Sequence, residues 1–165
     1  MDGLFTAYAA DVLAFALRRS SPSTAEDVVS ETFLVAWRRL DAIPENPKPW
    51  LLAVARRVLA NQRRSLGRQS AVQTRLRSDP DTRCRPDEEQ SSHAAVLAAL
   101  AKLAPADRDA ITLIAWDGLT AEDAATVLGC SRATFYVRYH RAKKRLAGAL
   151  ESTDPADDSQ EVDQP

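Results

Sequence analysis

The sequence predicts an all-α fold of two small helical domains joined by a flexible linker, with a helix-turn-helix in the C-terminal domain. Three observations predict this fold. Apolar residues recur with the 3.6-residue period of amphipathic helices, and β-branched residues fall inside those patterns instead of alternating. The periodicity lapses from Gly67 to Ser92, where charges are mixed and large apolar residues are few. It resumes at Val96 and leads to two short helical patterns that meet at Gly129.

The N-terminal half contains three predicted helices. An apolar stripe predicts the first over about Leu4–Arg18, and a second begins at Thr24 or the next residue, after a Ser- and Pro-rich break. Prolines predict that Ile43–Pro49 is a loop in which Lys48, preceding a proline, is extended. A third helix then begins at Trp50 and ends among arginines, so its outer face is expected to be cationic.

The C-terminal half begins with two further stripes, over 96–103 and, after Pro105, over 111–116. These stripes lead into the helix-turn-helix, so they belong to the same domain. The predicted organisation is a domain at 1–66, a flexible linker at 67–93, a second domain at 94–150 and an acidic disordered tail at 151–165.

The pair of short helices at Leu119–Leu146 is the most informative part of the chain. Thr120 is a good N-cap, and Gly129 can adopt the left-handed conformation that a tight turn between helices requires. Ser131 then caps a second helix, in which Phe135 is expected to face inward. The residues left facing outward are Arg132, Thr134, Tyr136, Arg138 and Tyr139.

Charge favours a nucleic-acid role for the second of these helices. The chain has a net charge of only −1, so the argument depends on where the charges lie. The helix carries cations and no acidic residue, whereas an ordinary solvated helix intersperses both signs. Spacing alone leaves a solvated bundle helix and a DNA-binding helix about equally open, and the one-sided charge favours DNA. The cations are Arg132, Arg138, Arg141, Lys143, Lys144 and Arg145.

Other function classes lack their signatures. Cys84 and Cys130 are too few for a disulfide framework, and neither His93 nor His140 lies at metal-ligand spacing from another Cys or His. We therefore expect a cytoplasmic protein with no metal and no cofactor, and the two cysteines give no basis for assigning a redox sensor. No apolar run is long enough to span a bilayer, and the N-terminus lacks the basic start of a signal peptide.

Both halves resemble one family, the extracytoplasmic-function (ECF) sigma factors of bacterial RNA polymerase. Ala25–Trp37 resembles the conserved helix of sigma region 2, with Ser30 in place of the usual Gln. Pro49–Arg64 is similar to the block that follows, although Arg57 and Asn61 replace Asn and Asp.

The C-terminal half is similar to sigma region 4. Leu100–Arg108 matches its opening motif, and Leu119–Leu146 follows its helix-turn-helix without a gap. The departures include Ala124 and Cys130, where the family usually has Ile, and Phe135, where it usually has Val. The two smaller residues make room for the larger Phe135 ring. Tyr136 and Tyr139 replace commoner residues, so the promoter preference is expected to differ from the family norm.

The resemblance implies a partner, core RNA polymerase, and a ligand, promoter DNA. Region 2 is expected to dock on the β′ clamp helices and to hold the melted −10 element. The polymerase-contact candidates are Asp27, Glu31, Leu34 and Arg38, while core packing is the favoured interpretation of Phe33 and Trp37. The −10 candidates are Asn46, Lys48, Trp50, Arg56, Arg57, Asn61 and Arg64. Asn46 and Lys48 would line a base pocket, and Trp50 is either a stacking surface or, more in keeping with its place at a helix start, a core anchor.

Region 4 is expected to place its second helix in the major groove of the −35 element. Arg132, Tyr136, Arg138 and Tyr139 would reach bases or phosphates, whereas Thr134, Arg141, Lys144 and Arg145 would hold the backbone. The apolar face that includes Leu97, Leu100, Ile111 and Ile114 is a candidate for the polymerase β flap, with core packing as the default. An anti-sigma partner is left open.

Three alternatives compete with this interpretation. A stand-alone helix-turn-helix regulator is the main one, but the N-terminal half offers the region 2 pattern instead of a dimerising or ligand-binding module. A scaffolding helical protein is disfavoured by the basic helix. An enzyme is the weakest alternative, because no nucleophile pairing, metal set or phosphate loop is present.

Overall fold

The computed structural model describes residues 2–70 and 88–151, and it describes side chains from Gly3 to Ser65 and from Ala94 to Glu151. This part of the chain is helical and contains no strand, so the all-α prediction is confirmed. The α-helices are α1 (Asp2–Leu17), α2 (Pro22–Arg38), α3 (Pro47–Ser70), α4 (Glu88–Lys102), α5 (Pro105–Ala115), α6 (Ala121–Leu128) and α7 (Arg132–Glu151), with a 3-10 turn at Leu40–Ala42.

Two helices begin earlier than the prolines predicted. The predicted loop Ile43–Pro49 is wrong over its last residues, because α3 starts at Pro47 and Lys48 is helical. Backbone N–H groups in the first turn of a helix have no intrahelical acceptor, so prolines there forfeit no hydrogen bond. α2 starts at Pro22, ahead of the predicted Thr24, for the same reason.

The helices also enter both ends of the segment predicted to be a linker. α3 continues to Ser70 and α4 begins at Glu88, whereas the prediction placed the linker at 67–93. The predicted tail at 151–165 begins one residue too early, because Glu151 is the last residue of α7. Residues 71–87 and 152–165 lie outside the described residues, so the rest of the linker and the tail remain predictions.

The N-terminal module consists of α1, α2 and α3 packed against one another. Val12 and Phe15 of α1, Val28 of α2, and Leu51 and Leu52 of α3 are fully buried where the three helices meet. Their spacing along each helix produces one apolar stripe per helix, as the periodicity predicted. This packing leaves the opposite face of α2 to solvent.

The C-terminal module consists of α4 to α7. Arg108 ties α4 to α5, since its guanidinium donates to the backbone oxygens of Leu100 at 2.8 Å and Ala101 at 2.7 Å. A helix C-terminus leaves carbonyl oxygens without intrahelical donors, and a cation there also suits the helix dipole. A small apolar cluster of Leu100, Leu103, Ile111 and Ala142 then fixes α7 against α4 and α5.

The two modules pack on each other, which the prediction of two domains on a tether did not include. α3 lies against α6, and a single apolar core runs from Phe15 and Leu51 of the N-terminal module to Leu113 and Phe135 of the C-terminal module. The described helices include none that is both long and apolar enough to span a membrane.

Candidate nucleic-acid interface

The helix-turn-helix has the caps that the sequence predicted. The Thr120 Oγ1 accepts a hydrogen bond from the Asp123 backbone N–H at 3.1 Å, and the Ser131 Oγ accepts one from the Thr134 N–H at 3.1 Å. Gly129 lies between the helices with φ 66°, a conformation that costs a residue with a Cβ free energy. These three positions fix the angle at which α7 leaves α6.

The first two turns of α7 present a cation and a ring together. Phe135 is fully buried beneath them, and Tyr136 on the outer side is 48% exposed. The Arg132 guanidinium lies 5.5 Å from the centre of the Tyr136 ring. A hydrogen bond to the Tyr136 side chain raises the pKa of Arg132 above its ordinary value. Thr134 is exposed and Arg138 is half-buried beside this pair.

The prediction that Tyr139 faces outward is wrong. Its ring stacks on Phe135 with 5.9 Å between ring centres, and it packs against both apolar cores. The cause is the period of the helix, because residues four apart share a face and Phe135 faces inward. Tyr139 therefore supports the exposed surface of α7, and the Lys143 Nζ lies 5.8 Å from the centre of its ring.

The later turns of α7 border a cationic groove of about 450 Å³ between α7 and the start of α5. Arg138, Arg141 and Arg145 line it, together with Thr134 and the buried Asp107. The Arg145 guanidinium pairs with the Asp107 carboxylate. Arg145 is thus held in place at the wall of the groove, while Arg141 and Lys144 point to solvent.

A second groove, of about 190 Å³, lies between α2 and α3. Trp50, Arg57 and Asn61 line it together with Arg39, which the sequence did not single out. This volume suits a small planar group better than a large ligand. Trp50 is half-buried, so its ring anchors α3 to the core on one side and borders the groove on the other. Arg64 donates to the Asn61 side-chain oxygen at 2.8 Å.

Three of the predicted −10 residues lie elsewhere. Lys48 pairs with Asp11 of α1 at 3.2 Å, and neither Lys48 nor the exposed Asn46 borders the groove beside Trp50. Arg56 faces the C-terminal module, where its Nε lies 3.5 Å from an oxygen of Asp109. Successive residues on a helix differ by about 100° in direction, which is why Arg56 and Arg57 do not share a face.

The outer face of α2 carries the predicted polymerase-contact residues. Asp27, Glu31, Leu34 and Arg38 are all exposed, at a spacing that places them along one side of the helix. Core packing is confirmed for Phe33, which is 6% exposed, but is wrong for Trp37, which is 61% exposed. Phe33 and Trp37 are four residues apart and lie on similar sides of α2. Phe33 reaches the core, whereas Trp37 lies beyond its edge. Trp37 is a surface residue that the sequence missed.

The four apolar residues predicted as candidates for the β flap differ in burial. Leu100 and Ile111 are buried in the core, Ile114 is half-buried, and Leu97 is 39% exposed. Trp116 also reaches the surface, at 42% exposed. Core packing is therefore confirmed for two of the four. Across the described side chains, no group of three or more His, Cys, Asp or Glu residues is placed to hold a metal ion.

Comparison with known protein families matches both modules. Residues 4–69 match the family described as Sigma-70 region 2, and residues 93–146 match Sigma-70, region 4. The matches follow the order and the approximate bounds of the two helical modules.

Individual relatives give the same result over most of the chain. The chain is 32% identical to the ECF RNA polymerase sigma factor SigL of Mycobacterium tuberculosis, over 92% of this chain and 89% of that protein. It is 31% identical to the ECF RNA polymerase sigma factor EcfG of Rhodopseudomonas palustris, over 83% of this chain and 77% of that protein. Among solved structures, the sigma factor RpoE of Bartonella quintana, in complex with the anti-sigma factor NepR, is similar with a TM-score of 0.70 and 29% identity, covering 93% and 98% of the two chains.

Proposed function

The chain belongs to the sigma-70 family, in its ECF group, and from this premise we propose how its surfaces bring RNA polymerase to a promoter. As a sigma factor, it directs core RNA polymerase to specific promoters and acts in transcription initiation. It is a regulatory factor, and we propose that it has no enzymatic activity of its own. It would work in the cytoplasm, where polymerase and promoters meet.

One observation carries the detailed proposal. Each module presents its own surface of cations beside an aromatic ring: Arg132 with Tyr136 on α7, and Arg57 with Trp50 on α3. Aromatic rings stack on bases and cations hold phosphates, so two such surfaces in one chain suit two separate stretches of DNA. This is the division of labour between the −35 and −10 elements.

In region 4, α7 is proposed to enter the major groove of the −35 element with its N-terminal turns leading. The pair Arg132 and Tyr136 would contact bases, because a guanidinium reads guanine and a ring contacts the thymine methyl group. Arg138 would contact a base or a neighbouring phosphate. Thr134, Arg141, Lys144 and Arg145 would hold the sugar-phosphate backbone, with Arg145 oriented by Asp107. Tyr139 is proposed as the support of this surface.

In region 2, the groove beside Trp50 is proposed to take an unstacked base of the −10 element. Melting costs stacking free energy, which a ring surface and flanking cations offset. Arg39, Arg57, Asn61 and Arg64 surround or adjoin this groove and would hold the strand. Asn46 remains a candidate at the exposed loop that precedes α3.

The exposed side of α2 is proposed as the contact with the polymerase β′ clamp helices. Its charged residues Asp27, Glu31 and Arg38 flank Leu34, and Trp37 extends the apolar part of this face. An exposed Trp with apolar neighbours is typical of interface hot spots. Leu97 and Trp116 are exposed apolar residues of the C-terminal module and are proposed as candidates for contact with the β flap. An anti-sigma factor is proposed as a further partner, since the similar RpoE structure contains one.

Transcription with purified components tests the function. Core polymerase plus this protein should give promoter-specific run-off transcripts from a genomic promoter library, and core polymerase alone should not. Absence of specific transcripts would contradict the proposal. A stand-alone regulator predicts a different result, because it would bind its duplex site tightly without polymerase. The duplex affinity of the protein should be measured with and without core polymerase to separate the two.

A further inference from the structure

The groove between α2 and α3 has an apolar floor. Val54 and Val58 of α3 line it and are buried, and Val35 of α2 lines it and is half-buried. Trp50, near the start of α3, adds a half-buried ring. Residues four apart on a helix share a face, which is why α3 presents Trp50, Val54 and Val58 as one strip. A floor of this kind suits a flat, largely apolar group and disfavours a bare phosphate.

The rim of the groove carries hydrogen-bond donors. Arg39, at the C-terminus of α2, and Arg57 of α3 are exposed, and a guanidinium has five N–H donors and no acceptor. Within the described part of the chain, neither guanidinium has a hydrogen-bond or ion-pair partner. The indole of Trp50 can also only donate. Three of the four polar side chains at the groove are therefore donors alone.

Asn61 is the fourth polar side chain, and Arg64 orients its amide. The Arg64 Nη2 donates to the Asn61 Oδ1 at 2.8 Å, and the Arg64 Nε donates to the backbone oxygen of Ala60 at 3.2 Å, which holds the guanidinium in place. Because arginine has no acceptor, the atom of Asn61 that faces it must be the oxygen. The Nδ2 group, with two N–H donors, is the part of the amide that remains for a ligand.

A groove lined by donors selects a base by its acceptors. Thymine has two carbonyl acceptors, O2 and O4, whereas cytosine has an amino donor at the position of O4, and adenine has an amino donor at N6. An amino group that enters such a groove faces other donors and loses its hydrogen bonds. The C5 methyl group of thymine, in turn, suits contact with the valines of the floor.

Guanine satisfies only part of these requirements. It has two acceptors on one edge, O6 and N7, but it also carries an amino donor at N2 and has no methyl group. The groove has a volume of about 190 Å³, which favours a pyrimidine over the larger purine.

We propose that this groove is a thymine-specific site for an unstacked base of the promoter. Arg39, Arg57 and Asn61 determine the specificity by donating to the carbonyl groups of the base, and the valine floor holds its methyl group. Arg64 is a positioning residue, because it acts on the base only through the amide of Asn61. The inference rests on the proposed function for the presence of single-stranded promoter DNA.

The first experiment uses base analogues. Holoenzyme assembled from core RNA polymerase and the full chain is bound to a fluorescent single-stranded 12-mer of thymidine, and core polymerase alone gives the background. Unlabelled 12-mers then compete. 5-Methyldeoxycytidine keeps the methyl group and replaces O4 by an amino group, so it should compete about tenfold more weakly than thymidine. Deoxyuridine keeps both carbonyl groups and lacks the methyl group, so it should compete about fourfold more weakly.

Two results of this competition would overturn the proposal. One is equal competition by thymidine and 5-methyldeoxycytidine, because these bases differ only at the edge that the donors are expected to read. The other is stronger competition by a 12-mer that alternates deoxyguanosine with thymidine, because a purine would then be the preferred occupant.

The second experiment changes the specificity. Asn61→Asp replaces the two amide donors by a carboxylate oxygen, which accepts from an amino group such as N4 of cytosine. The ratio of thymidine affinity to 5-methyldeoxycytidine affinity should fall about tenfold. Asn61 is exposed, so the variant should fold, which far-UV circular dichroism checks. The matched control, Ser23→Asp, adds the same charge at an exposed position near the start of α2 and should leave the ratio unchanged. An unchanged ratio in Asn61→Asp would contradict the proposal.

The third experiment tests Arg64 and does not depend on the folding of the Asn61 variant. Arg64→Met removes the donor that orients the amide, so the affinity ratio should fall by about threefold as the amide oxygen becomes available to the groove. Arg64→Lys keeps a donor and should retain the ratio. A purely electrostatic role for Arg64 would weaken the binding of both oligonucleotides equally and leave the ratio unchanged in Arg64→Met, which would contradict the positioning role.

Run-off transcription separates this inference from the proposed function. On a promoter recovered from the library, each thymine of the −10 element is replaced in turn by 5-methylcytosine, and specific transcripts should fall about tenfold at one position. Specific transcripts that tolerate every replacement would overturn the thymine site alone. Absence of specific transcripts, with competition no different from that of core polymerase alone, would overturn the proposed function itself.

Discussion

The N-terminal and C-terminal modules present their cations in opposite ways. On α7 the arginines and lysines face solvent, and only Arg145 is held by a carboxylate, that of Asp107. On α3 the arginines are divided: Arg57 and Arg64 are exposed, while the Arg56 Nε lies 3.5 Å from a carboxylate oxygen of Asp109 in the other module. The cations of α7 are thus open to solvent, whereas those of α3 are only partly so.

The difference does not lie in the composition of the two helices, because neither α3 nor α7 carries an acidic residue before its last position. It lies in what each helix faces. α3 packs on α6 and α5 supplies Asp109, whereas the outer side of α7 faces no other described element. A purely basic helix is therefore a surface for DNA only on the sides that the rest of the fold leaves open. Each prediction below tests one part of this contrast.

The largest effect is expected at the residue that supports the exposed surface of α7. Phe135→Ala removes a fully buried ring between α6 and α7 and should destabilise the protein by about 3–5 kcal/mol. Thermal unfolding should shift strongly, and −35-dependent transcription should be lost. The neighbouring Tyr136→Ala, at an exposed position, should leave the unfolding free energy within about 0.5 kcal/mol. Equal losses in the two variants would show that Phe135 is not the core anchor.

The next effect separates binding from stability on α2. Trp37→Ala should weaken core polymerase binding by about 2 kcal/mol, or about thirtyfold in Kd, because exposed Trp residues dominate interfaces. Its unfolding midpoint should hardly change, since the ring is 61% exposed. Titration of labelled protein with core polymerase measures the first quantity. Leu17→Ala, which truncates an exposed apolar residue of α1, is the control and should not alter binding. Destabilisation by Trp37→Ala without loss of affinity would instead place Trp37 in the core.

A smaller effect is expected for one contact on the exposed surface of α7. Arg138→Ala should reduce −35-dependent transcription by about tenfold, the cost of about 1.4 kcal/mol for a lost base or phosphate contact. Lys102→Ala, which removes a cation from α4, should leave transcription unchanged. Output should be compared across promoters with altered −35 sequences. Unchanged output from Arg138→Ala on all of them would count against the assignment of α7.

The sequence predicted the parts of the fold that depend on local rules. Thr120, Gly129 and Ser131 each satisfy a backbone requirement at their own position, so their roles could be read without knowledge of the fold. The same holds for Phe135, whose spacing from the apolar residues of α6 placed it inward. The loop predicted from the prolines was wrong over its last residues, because Pro47 and Pro49 lie in the first turn of α3, where a helix tolerates proline.

The sequence could not predict features that depend on how the modules pack. Arg56, Arg57, Arg63 and Arg64 look alike in the sequence, and only the position of α5 decides which of them meet Asp109. Trp37 shows the same limit for apolar residues. Trp37 has the helical spacing of the core stripe, but the N-terminal core does not extend as far as this residue. Long-range contacts of this kind leave no periodic signal in the chain.

The smallest predicted effect is a pH dependence of the contact between the modules. Burial raises the pKa of the Asp117 carboxyl where the modules are in contact, against the opposing effects of Arg18, Arg19 and Lys48. The protein with its modules in contact, called the closed state, therefore binds a proton at Asp117 more tightly than the protein with its modules apart does. By linkage, this group's contribution to the closed state grows as pH falls towards the raised pKa and is lost as pH rises through it. The opposing cations limit its size.

Scattering measurements from mildly acidic to neutral pH would detect this dependence as a radius of gyration that increases with pH. Asp117→Asn cannot titrate, so it should flatten the profile, while Asp41→Asn, at an exposed position, should retain it. The opposite slope would mean that the ion pair with Arg18 outweighs burial, since a carboxyl with a lowered pKa stabilises the closed state most above that pKa. In that case Asp117 would behave as a surface carboxylate does, and the contrast between the covered cations of α3 and the open cations of α7 would depend on Asp109 alone.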